Sequence, residues 1–294
     1  MPTFDYLLLT TCDGRKERLI DLTRLLDSVD AEIQAHGLHI RHYILLQNSR
    51  AVPTELAARA SQQRLFMLET GRLSLSRARN RMLRQAGLDW VWPRVRLCAF
   101  PDDDAWYPPN TLASILNNHK RHPRTGIFTC DYGAAPISSS AVDIADFKDA
   151  VDCGLFVRRV SSNTLFIKAD IAEAVGFFDE RLGVGGAING GEDLDFALRA
   201  YLKADRRAMI HEGKLIGHRD RLPWVRSQYF AGSLFAIARS ARNDLPLTLQ
   251  LLRKIAVGGF LVSSRELSVA AYVNGLRNGL SGLVNGQPLV APFE

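Results

Sequence analysis

Residues 97–109 read LCAFPDDDAWYPP. An apolar run closes on three consecutive aspartates, followed by two aromatic residues and a double proline. Carboxylates this close repel one another, and each loses hydration beside a core. Positive charge must face them. The run 95–100 (VRLCAF) reads as a buried strand, so the aspartates fall at its carboxyl end. In open α/β sheets that is where ligands bind.

The pattern extends in both directions. YLLLTT (6–11), HYILLQN (42–48) and RLFMLE (64–69) read as further strands. Between the first two, Leu22, Leu25, Leu26, Val29 and Ile33 share one helical face, with Gly37 as the stop. SLSRARNRMLRQAG (74–87) is a second helix, with Leu75, Ala78, Met82, Leu83 and Ala86 as its stripe. This β–α–β alternation predicts an α/β fold: a doubly wound, mainly parallel sheet flanked by helices. The ends of the first two strands, TTCDGR and QNSR, converge on the same crevice as the aspartates.

The chain has 294 residues, 47% hydrophobic and 23% charged, with a formal net charge of +6. This is globular composition with a sizeable core. The basic balance favours anionic partners such as nucleotide phosphates. Four dispersed cysteines without a CxxC pair argue against a disulfide framework or a zinc knuckle and fit a reducing cytoplasm. The N-terminal apolar run lacks a basic leader and reads as a strand. No run is expected to reach the roughly 18 apolar residues of a membrane span; the best, 255–264, is far shorter.

Four constellations carry chemistry. Asp102 and Asp104 form a D-x-D, suited to Mg²⁺ or Mn²⁺ shared with substrate phosphates. The plain alternative is a solvated acidic turn. In NGGEDLDFALRAYL (189–202), Glu192 and Asp193 open a helix and Asp195 pairs with Arg199. Leu194, Leu198, Tyr201 and Leu202 are its expected buried stripe. A carboxylate at 192 or 193 suits a general base, or simply complements the helix dipole. The helix at 74–87 is strongly basic; most of its arginines read as a solvated face, with Arg77 in the first turn as the exception that could meet a phosphate. His211 and His218, in a segment expected to be a hairpin or two short strands, are rival candidates for one imidazole ligand.

Together these stretches resemble the family 2 glycosyltransferases of the GT-A nucleotide-sugar fold. The matching residues are TTCDGR, SLSRARNRML, FPDDDAWYPP, the stretch 161–186 and GEDLDFALR, in order over residues 3–220. The resemblance implies a transferase that uses a nucleotide-diphosphate sugar as donor and a glycan or lipid-linked acceptor, in cell-surface polysaccharide synthesis. It implies that Asp102 and Asp104 position Mn²⁺ or Mg²⁺, with His218 completing the metal site. Asp103 would lie near the ribose, and Thr10 and Arg77 would hold the nucleotide. Asp193 would be the base, with Glu192 and Trp106 toward the acceptor. Where the family often has Asp after the second strand, this chain has Gln47. An amide offers the nucleobase a different donor and acceptor set, leaving UDP, TDP and GDP open.

Two other classes compete. A metal-dependent nucleotidyltransferase would carry a Gly-rich basic loop after the first strand, but TTCDGRKER has one glycine. A non-catalytic nucleotide- or carbohydrate-binding protein would not need Asp193. Nucleic acid is not an expected partner. Residues 1–225 are expected to form the catalytic domain and 226–294 a helical extension. The extension carries seven Lys/Arg against three Asp/Glu, and 245–262 reads as helix broken at Gly258 and Gly259. Either it attaches peripherally to the inner face of a membrane, or it packs on the core or forms a homodimer contact. Donor sugar, acceptor and linkage depend on the shape of the loops around 133–160 and 183–191.

Overall fold

The structure, a computed structural model, describes residues 3–137, 147–149, 153–220 and 224–291. Much of the loop 133–160 lies outside these residues.

The amino-terminal half alternates strand and helix as expected. β1 (Phe4–Asp13), α1 (Lys16–His36), β2 (Ile40–Gln47), the short α2 (Thr54–Ala57), β3 (Arg64–Glu69), α3 (Leu75–Leu88) and β4 (Val95–Ala99) follow in turn. α4 (Thr111–Arg121), β5 (Ile127–Gly133), β6 (Lys148–Asp149), α5 (Cys153–Arg159), β7 (Leu165–Lys168), α6 (Ala169–Val175), α7 (Glu192–Lys203) and β8 (Ala208–Gly217) complete the sheet and its cover. The chain continues through α8 (Val225–Gln228), α9 (Phe230–Ala241), α10 (Leu245–Ser263) and α11 (Val269–Leu280).

The eight strands lie in the order β3-β2-β1-β4-β7-β5-β8-β6. β3, β2, β1 and β4 run parallel, and so do β5 and β8. β7 enters antiparallel between β4 and β5, and β6 antiparallel at the edge. Side-chain alternation builds two cores. Leu7, Leu9, Tyr43, Leu45 and Cys98 face α3, α7 and α9. Tyr6, Leu8, Ile44, Leu46 and Leu97 face α1 and α4. Strands covered on both faces read as continuous apolar runs, which is why they stood out in the sequence. All four cysteines are buried. Burial pushes the thiols of Cys12, Cys98 and Cys130 well up from their ordinary range.

Glycine ends α1 as expected: Gly37 has φ 62° and its N–H returns to the Ile33 carbonyl at 2.9 Å. Other expectations are corrected. Residues 209–217 are the body of one strand, β8, not a hairpin. In α7 the buried face is Phe196, Ala197, Leu198, Ala200 and Tyr201, while Leu202 is exposed. α10 runs unbroken through Gly258 and Gly259. A Cβ at Gly258 would lie 2.5 Å from both the Phe230 and Tyr272 rings, so this glycine lets neighbouring helices approach. α10 is also a 19-residue helix of mean hydropathy 1.4, long and apolar enough to cross a membrane. Treating Gly258 and Gly259 as a break hid that length.

The segment after 225 does not build a core apart from the sheet. Phe230, Leu234, Ile237, Ala238, Leu247, Leu251 and Leu261 belong to the same cluster as Leu7 and Phe196. Arg239 of α9 donates to Asp195 at 2.6 Å and also pairs with Asp179, both fully buried.

Candidate active site

The three aspartates leave β4 and meet positive charge from three other elements. Arg18, in the first turn of α1, grips Asp103 through both carboxylate oxygens, with Nε 3.1 Å from Oδ2. Arg79, from α3 and 2% exposed, lies 3.2 Å from Asp102 Oδ1. His218, directly after β8, places Nε2 3.1 Å from Asp104 Oδ1. Arg18 and Arg219 each stand 3.7 Å from Asp104. Asn163, in a single turn before β7, accepts the Asp102 N–H at 2.7 Å and donates to Asp102 Oδ2 at 2.9 Å. The repulsion implied by DDD is offset partner by partner.

These surroundings separate the carboxylates. Burial pushes Asp102 up to about 6 against the pull of Arg79. Burial also raises Asp104, but the His218 hydrogen bond and charge outweigh it and hold the group at about 2. Burial would lower His218, yet Asp104 raises it overall.

Asp102, Asp104 and His218 offer three ligand atoms within 4.8 Å of one another. Two carboxylates and an imidazole suit Mn²⁺ or Mg²⁺. His218 Nδ1 is held 2.9 Å from the Arg219 carbonyl, which leaves Nε2 toward the aspartates in the orientation a ligand needs. The residues therefore fit a divalent cation. His211 does not join them: it faces the Phe147 ring at 5.4 Å, and its Nδ1 accepts the Gly213 N–H at 2.9 Å.

Glu192 and Asp193 come to the same place from the start of α7. Arg79 hydrogen-bonds Asp193 Oδ1, and Asp193 Oδ2 accepts the Ser162 N–H at 3.2 Å. One guanidinium thus joins Asp102 to Asp193. Glu192 stands 3.8 Å from Arg79, is 6% exposed, and its Oε2 has no hydrogen-bond partner among the described residues. Burial, then Asp193, pushes it up to about 8. The loop before α7 is packed tightly. Gly191 has φ 82°, and a Cβ there would collide with the Gly232 backbone of α9.

The other expected site residues are held by contacts of their own. β1 runs to Asp13, so Thr10 is mid-strand, fully buried, with its hydroxyl 3.0 Å from His42 Nε2. Gln47 ends β2, where its Oε1 accepts the Leu73 N–H at 2.7 Å and fixes the approach to α3. Arg77 points outward and lies 3.6 Å from Glu180; the arginine among the aspartates is Arg79. Trp106 pairs with Gly217 through two backbone hydrogen bonds of 2.9 Å. Its ring fills the space a Gly217 Cβ would need and stacks 4.2 Å from the Arg24 guanidinium. This pair ties the DDD loop to the end of β8, next to His218.

The sequence reading missed Arg18, Arg79, Ser162, Asn163 and Arg219. A signal for two of them was present. Arg18 is one turn before Leu22, and Arg79 is one turn from both Leu75 and Leu83. An arginine on an apolar stripe is buried, and a buried arginine must be paired. Ser162, Asn163 and Arg219 have no such periodic mark.

No protein-family model and no curated protein matches the chain. Solved structures do. S. aureus TarS 1–349 aligns with a TM-score of 0.65 and 13% identity, over 95% of this chain and 81% of that one. The same protein in complex with UDP-GlcNAc gives 0.65 and 13%, over 95% and 82%. The mannosyltransferase PcManGT from Pyrobaculum calidifontis, in complex with GDP-Man and Mn²⁺, gives 0.54 and 13%, over 97% and 88%. These are GT-A-type glycosyltransferases. The chain has the GT-A fold. Asp102–Asp104 directly follow β4, and Glu192 and Asp193 open α7.

Proposed function

We propose that the protein is an inverting, metal-dependent glycosyltransferase. It moves a sugar from a nucleotide-diphosphate donor to a hydroxyl of a glycan or lipid-linked acceptor, in cell-surface polysaccharide synthesis. The observation that carries this reading is Arg79, which joins the candidate metal site at Asp102 to the carboxylate of Asp193. A binding protein needs the first group but has no use for a base beside it.

Asp102, Asp104 and His218 would hold Mn²⁺ or Mg²⁺. When bound, such a cation neutralises charge developing on the leaving diphosphate. The remaining work falls to this chain's own residues. Asp193 is fixed by Arg79 and the Ser162 N–H, and its side chain keeps 26% exposure, so an acceptor hydroxyl can reach it. Asp193 takes the hydroxyl proton as the acceptor oxygen attacks the anomeric carbon. The bond to the diphosphate breaks on the opposite side, and one displacement inverts the configuration. Arg18 keeps Asp103 paired and out of the metal set.

Calorimetric titration with UDP, TDP, GDP and CDP, each with and without Mn²⁺, tests the reading. One nucleotide should bind in a metal-dependent manner, and Asp104→Asn should weaken it by at least about ten-fold. Binding that ignores both Mn²⁺ and Asp104→Asn would refute the donor site.

A further inference from the structure

We propose that the outer face of α10 docks on an anionic phospholipid bilayer, with the helix lying in the plane of the interface. This inference stands apart from the proposed activity.

α10 is apolar on two opposite faces. Leu247, Leu251, Gly258 and Leu261 are buried. Leu245, Leu249, Leu252 and Phe260 are 71%, 55%, 58% and 66% exposed, and Ala256 between them is exposed too. At 3.6 residues per turn these five fall within an arc of about 80°, opposite the buried set. A helix apolar all round needs cover on both sides in water, and the protein covers one.

Charge selects the occupant. No Asp or Glu occurs between Leu245 and Arg265. Arg253 is exposed at the edge of the stripe, and Arg242 and Arg265 are exposed just beyond its two ends. Asp244, the acid nearest the start, is buried, caps the Leu247 N–H and pairs with Arg206. An apolar stripe with arginines at one edge and at both ends, and Glu266 as the one exposed acid beside it, matches the boundary between acyl chains and anionic headgroups.

The same residues argue against a span. Arg253 and Lys254 sit in the middle of the helix, where a crossing would place two cations at the bilayer centre. Lys254 lies over the Phe230 ring at 5.7 Å, and Leu251 and Leu261 are packed into the common core. Crossing would tear that face from the protein. Lying flat leaves it in place.

The test is co-sedimentation of the full chain with vesicles of phosphatidylcholine alone and with about one-third phosphatidylglycerol. Wild type should sediment with the anionic vesicles, much less with the neutral ones, and less as salt rises. The double variant L252D/F260D should lose at least about ten-fold in vesicle affinity. Both positions are exposed, so its thermal melt should match wild type. Equal binding by variant and wild type would overturn the proposal, as would no preference for anionic lipid. Sedimentation velocity separates the remaining case. A wild-type dimer that the variant dissociates, without vesicle binding, would make this face a contact between two copies and overturn the lipid assignment.

Discussion

Glu192 is a carboxyl group with little to favour its charged form. Its Oε2 has no partner among the described residues, Asp193 is adjacent, and Arg79 is shared with Asp102 and Asp193. With its pKa raised to about 8, the folded protein holds a proton that the unfolded chain, titrating near about 4.3, releases. A raised acid costs stability as pH climbs between those two values. Glu192→Gln removes the titration while keeping the shape of the protonated form. Melting curves between about pH 5 and pH 9 should show wild type falling behind the variant by several °C. Parallel curves would mean that Glu192 ionises like an ordinary surface acid. Arg79 explains why one neighbouring arginine was misjudged. Local pattern marked Arg77 by its first-turn position, but helical phase decides which arginine enters the core. Arg79 shares the face of Leu75 and Leu83.

At the scale of elements, local pattern worked where it was written in consecutive residues. α1, α3 and the first four strands were legible because their apolar residues recur at 3.6 or form short continuous runs. It failed where cover came from distant segments. β7 and the single long β8 owe their places to pairing with β5, which no local window contains. The Gly190–Gly191 turn is clamped by α9: a Cβ on Gly232 would collide with the Gly190 carbonyl. This gives a test in which two effects have opposite sign. Inside a helix, Gly→Ala stabilises by about 1 kcal/mol on propensity. Here Gly232→Ala should instead destabilise by about 1–3 kcal/mol, because backbone must move. Urea unfolding measures it, and a gain in stability would show that the α7–α9 contact yields easily. The variant should also slow turnover, since the displaced turn leads straight into Glu192 and Asp193.

For the whole molecule, sequence composition suggested a body and an appendage. Composition changes near 226 because the later helices are apolar on more than one face. That change marks shared burial as readily as a boundary. With α9 buried along nearly its whole length against α7, the cores before and after 225 are one. Calorimetry of the full chain should therefore give a single unfolding transition. A chain ending at 225 should fail to fold, having lost the cover over Phe196 and its neighbours. Two separable transitions would restore the picture of an independent tail.

The four buried cysteines have a practical consequence for labelling chemistry. A maleimide needs an exposed thiolate, and burial keeps Cys12, Cys98 and Cys130 in the protonated form. One cysteine introduced at the surface should then react far faster than the native thiols, without a cysteine-free background. Ser263, exposed on the outer side of α10, is a suitable position. An environment-sensitive dye attached there would turn the arrival of a lipid surface into a change of colour.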